Sequence, residues 1–456
     1  MNRATLAPAF CAANKIIVTG EAADSITFGL VNSADSVLKQ RISKTYPGRR
    51  CIFREMNADD FNLRISQLYS GDECEDGLNE KSVTEKSDAI DKVADDAPVI
   101  NLLNSLFLEA ISKRASDIHI ESGSGDAAIH YRVDGLLVPA RTISAERAAS
   151  ISTRLKILGN LNVLENRRPQ DGHIEINADA CSLDARISAV PTIWGESIVL
   201  RLLNRSDVPL RLDSLGFSEK HYTQIKNILS VSSGLVLVTG PTGSGKTTTL
   251  AAILGEINGG NLKIISIEDP VEYRIEGITQ IQVHEELKLT FENLLRRIFR
   301  QDPDVIMIGE IRDIETAELA VRAAMTGHLV FATLHTNSAA EAVYRLQNMG
   351  IPGYMTGAVL KTVISQRLLR KVCTVCNGSG CENCLRTGYS GRTAIAEVIT
   401  IDEKIRNMIS SGSAIEHIKN YLDENAHSDL FDDADLKLKA GITTAAEIRR
   451  ELGIRT

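Results

Sequence analysis

Gly240, Pro241, Thr242, Gly243, Ser244, Gly245, Lys246 and Thr247 follow the spacing glycine, four variable residues, glycine, lysine, threonine, and Thr248 comes next. That spacing suits a phosphate group. Glycines let backbone N–H groups approach phosphate oxygens, the lysine offers a mobile cation to the β- and γ-phosphates of a nucleotide, and Thr247 offers a hydroxyl to Mg2+. Three polar clusters lie downstream: Glu268-Asp269-Pro270, Gly309-Glu310-Ile311-Arg312-Asp313 and His335-Thr336-Asn337. Asp304 or Glu310 could hold Mg2+ through water or orient an attacking water, and Glu268 competes for the same two roles. His335 and His328 are candidates to sense a γ-phosphate, or to serve as hydrogen-bonding residues. A separate cluster, Cys373, Cys376, Cys381 and Cys384, forms two CxxC pairs separated by Asn377-Gly378-Ser379-Gly380. Paired CxxC turns present four thiolates to a tetrahedral Zn2+ with no position left open, so a metal there would be structural.

The elements that must position these groups are legible around them. Residues 235–239 (LVLVT) are an apolar, β-branched run of buried-strand length, and 248–253 (TTLAAI) opens as a helix, so the glycine turn stands between strand and helix. Residues 263–267 (KIISI), 305–308 (VIMI) and 329–334 (LVFATL) are three more buried strands, each followed by one of the polar clusters. Helical patterns at 290–300 and 314–325 lie between some of them. An open parallel α/β sheet binds ligands outside the carboxyl ends of its strands, so the four clusters should converge on one site. Residues 362–371 read as a helix leading into the cysteines, a strand-like TAIAEVI follows them, and helices run to the end, the last at 445–452 behind Thr443-Thr444.

With 456 residues, 43% hydrophobic and 24% charged, the chain has an ordinary globular composition with room for several domains. No apolar run approaches the ~18 residues of a membrane span, and the first residues are too weakly apolar for a secretory signal, so a cytoplasmic chain is expected. Cysteine usage suits a reducing compartment. Residues 1–70 hold strand-like runs at 15–19, 25–31 and 51–53 and helical patterns at 36–42 and 59–69, a small α/β module for binding a partner. Residues 71–96 carry ten acidic and three basic residues and almost no large apolar ones, which predicts a flexible linker. Residues 97–205 form an α+β domain, with helices at 99–113 and 145–158 and strand-like runs around the turn Asp134-Gly135. Two more strand-like stretches end at Arg186 and Arg201. Residues 206–456 contain the phosphate loop and, at 373–384, the four cysteines.

The motifs RASDIHIE, YRVDG, RRPQDG, GPTGSGKTTTL, SIEDPVEY, RQDPDVIMIGEIRD, TGHLVFATLHTN, QRLLR, the four cysteines and GYSGRTAIAEV occur in an order that resembles the secretion ATPase superfamily, the motors of type II secretion and type IV pilus assembly. The resemblance runs from about residue 12 to the end. It implies a multidomain α/β fold: the N-terminal module, a PAS-like α+β domain, and a RecA-like P-loop ATPase domain with a C-terminal zinc knuckle and helices. It also implies a Mg2+-dependent, hexameric ATPase with ATP between the PAS-like and ATPase domains, attached peripherally to the inner membrane through a platform protein and a membrane-anchored recruiting protein. Carried over residue by residue, Glu268 and Asp269 are the acidic box, Glu310 ends the second nucleotide motif, His328 and His335 lie in the histidine box, and Arg186 and Arg201 reach the γ-phosphate. His173 and Ser197 stand where relatives often have arginine, and the short spacing of the cysteine pairs makes a compact knuckle.

Three other functions compete, one of them a nucleotide-gated scaffold that binds ATP but hardly hydrolyses it. A pilus-retraction motor would use the same engine, but that branch usually lacks the N-terminal module and the four cysteines. A RecA-like nucleic-acid translocase would share the core. The net charge of −8 and the lack of a basic stripe with interleaved aromatics count against it.

Overall fold

The computed structural model describes residues 16–21, 25–31, 39, 42, 50–57, 97–178, 181–203, 211–284 and 287–454. The expected helix at 59–69 and the acidic stretch 71–96 lie outside them, as does most of the helix expected at 36–42. The chain divides into two compact units, Met1–Leu102 and Leu103–Thr456.

In the first unit β1 (Ile16–Glu21) pairs antiparallel with β2 (Ser25–Leu30), and β2 pairs parallel with β3 (Arg50–Glu55). Alternating apolar residues put Ile26, Phe28 and Leu30 on one core with Ile16 and Ile42, and Phe28 stacks on Phe53.

The second unit contains two sheets. The first is antiparallel throughout, in the order β6-β5-β4-β9-β8-β7, built from β4 (Asp117–Ser122), β5 (Asp126–Val133), β6 (Leu136–Ser144), β7 (Gln170–Ala178), β8 (Cys181–Thr192) and β9 (Gly195–Leu203). Helix Ala145–Leu158 packs on it, capped by Ser144 Oγ, which accepts from Arg147 N. Lys156, buried in that helix, is neutralised by Glu196 at 2.5 Å. The sequence pattern placed strand ends at Arg186 and Arg201. Arg186 instead sits in mid-strand on β8, directly opposite Arg201 on β9.

The other sheet has seven strands: β10 (Gly234–Thr239), β11 (Ile264–Glu268), β12 (Thr279–Gln282), β13 (Val305–Ile308), β14 (Leu329–Leu334), β15 (Leu360–Val372) and β16 (Tyr389–Thr400), in the order β12-β11-β13-β14-β10-β15-β16. All its pairings are parallel except β15 with β16. Helices cover both faces, which is why its strands are apolar without alternation. Helices Phe291–Ile298, Ile314–Met325 and Ala339–Asn348 share one core with the sheet, and helices Glu219–Ile228 and Lys246–Ile257 share the other.

One element differs in type from its sequence pattern. Residues 362–371 belong to β15 and not to a helix. The run QRLLRK is made of good helix formers, but the strand lies between β10 and β16 and nearly all of it is buried, so ladder pairing on both sides overrides local propensity.

Candidate functional site

Strand β10 is buried along its whole length and hands the chain to a loop with three left-handed glycines, Gly240 (φ +148), Gly243 (φ +79) and Gly245 (φ +87). A Cβ on Gly240 would lie 2.5 Å from Gln366 O, whereas one on Gly243 would meet nothing within 4 Å. The loop is therefore packed against β15 on one side and open on the other. Helix Lys246–Ile257 begins immediately, directing its first N–H groups at the concavity. Lys246 Nζ donates to Gly240 O at 2.8 Å and Pro241 O at 3.0 Å. Burial pulls its ammonium down to about 8, against the opposing charge of Glu310. Thr247 lies on the same first turn, and Thr248 Oγ1 meets Tyr273 Oη at 3.1 Å. An open, left-handed glycine turn, a buried ammonium and a helix start fit nucleotide phosphates. Thr247 and the neighbouring carboxylates are oxygen donors suited to Mg2+.

The parallel register aligns the strand ends: Thr239 with Leu334, Ile308 with Ala332, Ile267 with Ile308. Gly309 permits the close approach of two of them, since a Cβ there would sit 3.1 Å from Ile267 O. Glu310 Oε1 is 3.1 Å from His335 Nε2, and Glu310 Oε2 accepts from Arg312 Nε at 2.8 Å. Arg312 also faces Asp269 at 3.7 Å. Burial, with the charges of Lys246 and Arg312, holds His335 below the usual imidazole value. Glu268, 4% exposed, accepts through Oε1 from Ser266 Oγ (2.6 Å) and Gln280 Nε2 (2.9 Å), and burial raises its proton affinity.

Two expected residues fall at the wrong end. His328 precedes β14, so the whole strand, about 20 Å at ~3.3 Å per residue, separates it from His335. Its Nδ1 meets Ala323 O at 3.0 Å and Thr326 Oγ1 at 3.1 Å, a local turn contact. Asp304 likewise precedes β13, and its carboxylate accepts from Lys263 N at 2.7 Å. Neither reaches the carboxyl ends that carry Glu268, Glu310 and His335. The two arginines also divide. Burial lowers the Arg186 pKa while the charges of Asp269 and Glu272 raise it, so these two acids of the site act on its guanidinium. Arg201 is 62% exposed and pairs with Asp117 at 3.1 Å.

Residues with no role in the sequence reading also line the site. Gln366 and Arg367 of β15 contact the phosphate loop and the loop after His335, and Gln280 on β12 orients Glu268. The QRLLR motif was a signal for the first two, without a role attached.

The four cysteine sulfurs lie within 4.8 Å of one another. Separations of 3.9, 3.7 and 3.7 Å for Cys373–Cys381, Cys376–Cys384 and Cys381–Cys384 match the ~3.8 Å edge of a tetrahedron with 2.3 Å Zn–S bonds. Cys381 N and Gly380 N donate to Cys384 and Cys376 sulfurs, as suits thiolates. The cluster is compatible with zinc.

Residues 92–450 match the family described as type II/IV secretion system protein. The chain belongs to that family. This secretion-system chain is 43% identical over 379 residues to the type II secretion system protein HxcR of Pseudomonas aeruginosa, covering 81% of this chain and 80% of that one. It is 40% identical to the type IV pilus assembly ATPase PilB of Myxococcus xanthus, covering 83% and 72%. Among solved structures, the pilus retraction motor PilT with bound ADP is 29% identical with a TM-score of 0.56, covering 76% of this chain and 95% of that one. The DotB ATPase of Legionella pneumophila, 24% identical, shares the fold with a TM-score of 0.63, covering 76% and 94%. As a member of this secretion and pilus ATPase family, the chain is an ATP hydrolase. Among the described residues, no helix is long and apolar enough to cross a membrane.

Proposed function

We propose that this ATP hydrolase is a hexameric, Mg2+-dependent motor that powers pseudopilus or pilus assembly by moving residues 97–205, a PAS-like domain, against residues 206–456, a RecA-like domain. The observation that carries this reading is the meeting of two elements. A phosphate loop and three strand-end clusters share one edge of a parallel sheet, and Arg186 of the preceding sheet lies within electrostatic reach of the acidic residues beside them. Lys246 and the loop amides hold the β- and γ-phosphates. Thr247, with Glu268 or Glu310 through water, would hold Mg2+, which neutralises phosphate charge when bound. Glu268 is the proton acceptor, because burial raises its proton affinity. Glu310, engaged by Arg312 and His335, positions charge beside the γ-phosphate. Arg186, and Arg201 on closure, bring guanidinium groups to that phosphate, so hydrolysis and domain motion are one event. The four cysteines hold a structural zinc. Residues 1–70 bind a membrane-anchored recruiting protein, and an inner-membrane platform protein receives the motion at the cytoplasmic face.

Turnover of the assembled protein with Mg2+ and ATP tests this. Lys246→Ala and Glu268→Gln are each expected to lose at least about a hundredfold in kcat/KM. If the unmodified protein is no faster than either variant, the motor reading is lost. Strong stimulation by DNA would point to a translocase instead.

A further inference from the structure

Gln366 and Arg367 are neighbours on β15, beside the strand that feeds the phosphate loop, and their side chains lie on opposite faces of the sheet. Gln366 is buried. Its Nε2 donates to Ser244 O at 2.8 Å and its Oε1 accepts from Thr249 Oγ1 at 2.7 Å, so one amide joins the loop to the helix that follows it. The loop is fitted to this residue: a Cβ on Gly245 would come within 2.8 Å of Gln366 Nε2, as one on Gly240 would of Gln366 O.

Arg367 is only 7% exposed, yet its guanidinium bonds to carbonyls, Nη1 to Gln366 O at 3.0 Å and Nη2 to Asn337 O at 3.1 Å. Among the described residues it forms no ion pair. Glu451, Glu341 and Glu397 act on this charge without contacting it, against the cost of its burial, and what the guanidinium contacts instead is the loop after His335. Its charge acts on Lys246. Asn337 follows His335 by two residues, and Ser365, on the same face as Arg367, reaches the same carbonyl at 3.4 Å. The strand thus splints the phosphate loop to the loop that carries His335 against Glu310.

We propose that Gln366 and Arg367 are positioning residues for ATP hydrolysis: Gln366 sets the shape of the phosphate loop, and Arg367 keeps the His335 loop in step with it. The proposal rests on residues 240–247 holding ATP.

A split between binding and turnover tests it in the full chain. Gln366→Glu keeps the volume but sets an acceptor against Ser244 O, and ADP, which meets the loop without a γ-phosphate, should bind about tenfold more weakly. Arg367→Gln should leave ADP affinity within about twofold while kcat falls about tenfold, because alignment of His335 with Glu310 is lost and the loop is kept. Arg367→Lys, which retains the charge and a donor, should recover part of kcat. Should Gln366→Glu fail to fold, Thr249→Val removes the partner on the helix and should weaken ADP in the same direction. The proposal is overturned if the two positions shift KM and kcat alike, or change melting temperature alone. Lys246→Ala separates the two levels: an unmodified chain that binds ADP no better than this variant defeats the nucleotide site itself. An unmodified chain that binds and hydrolyses normally, matched by its Gln366 and Arg367 variants, defeats only the splint.

Discussion

Lys246 gives the site a pH dependence that can be worked out in advance. It is 8% exposed, and burial brings its ammonium from the ordinary 10.5 to about 8, with Glu310 and Glu272 opposing and Arg367 assisting. Phosphate binding needs the charged form and restores it. With a free-state value near 8, the ammonium fraction falls from about nine-tenths at pH 7 to about one-tenth at pH 9, so the Kd for ADP should rise about tenfold, or ~1.4 kcal/mol. A lysine at its ordinary value would lose only about 3% of its charge over that range. Burial holds His335 below its ordinary value, which moves its titration away from this range on the acid side. Folding responds in the opposite sense. A folded value near 8 against an unfolded 10.5 means charged Lys246 opposes folding below pH 8, and that penalty fades as pH rises through 10.5. Calorimetric titration with ADP at fixed Mg2+ and ionic strength measures the effect, with Lys246→Arg as a control whose guanidinium keeps its charge. A Kd constant within about twofold from pH 7 to 9, in a protein where Lys246→Ala abolishes binding, would refute the desolvation argument.

His335→Ala should lower kcat about tenfold, while His328→Ala, at the amino end of β14, should stay within about twofold under the same steady-state assay. Elemental analysis should find one zinc per chain, and its removal by a chelator should lower the melting temperature while leaving ADP affinity unchanged, because the knuckle follows Val372, past the Gln366 contact with the phosphate loop. Glu447, fully buried between Arg370 (2.5 Å) and Arg450 (2.7 Å), is held at about 2 by these partners despite burial that works the other way. Its contribution is complete above the ordinary 4.5 and is lost progressively as pH falls from there to about 2, so the terminal helix should stay docked down to about pH 4.5 and loosen below it, as hydrogen exchange can show. Glu447→Ala leaves Arg370 buried and unpaired at a cost of about 3–5 kcal/mol, which should appear as rapid exchange across residues 445–452.

What the sequence disclosed was local. The phosphate loop, the apolar runs of β10, β11, β13 and β14, and the two CxxC pairs are contiguous strings in which the chemistry and the element share the same residues. What it hid depends on direction and neighbours. His328 and His335 flank one apolar run and look equivalent in a string, but a parallel sheet gives its two ends different roles, and only the carboxyl end faces the phosphate loop. Asp304 and Glu310 flank β13 in the same way. Residues 362–371 read as a helix because the partners that hold them extended, β10 and β16, lie more than a hundred residues before and some twenty after them. Arg186 and Arg201 face each other across two strands, yet only Arg186 lies near Asp269 and Glu272, a distinction set by Asp117 on a third strand.

The antiparallel sheet meets the parallel one at a defined place. The turn between β5 and β6 rests on the start of β16: Asp134 accepts from Gly391 N at 2.7 Å and faces Arg392 at 3.6 Å, and Arg114 donates to Ser390 Oγ at 3.0 Å. Gly391 is left-handed (φ +78), a backbone shape that favours glycine at the point of contact. These are short, specific bonds at one place. Arg186, on the β7–β8 side of the same sheet, is held near Asp269 and Glu272 by charge and without any hydrogen bond among the described residues. Hydrogen bonds fall off steeply with distance and angle, so the contacts at Asp134 fix one place on this sheet, while Arg186 meets the acidic residues through charge alone. β15 and β16 join the two places, from Gln366 beside the phosphate loop to Gly391 beneath Asp134, so both contacts are carried by one antiparallel strand pair.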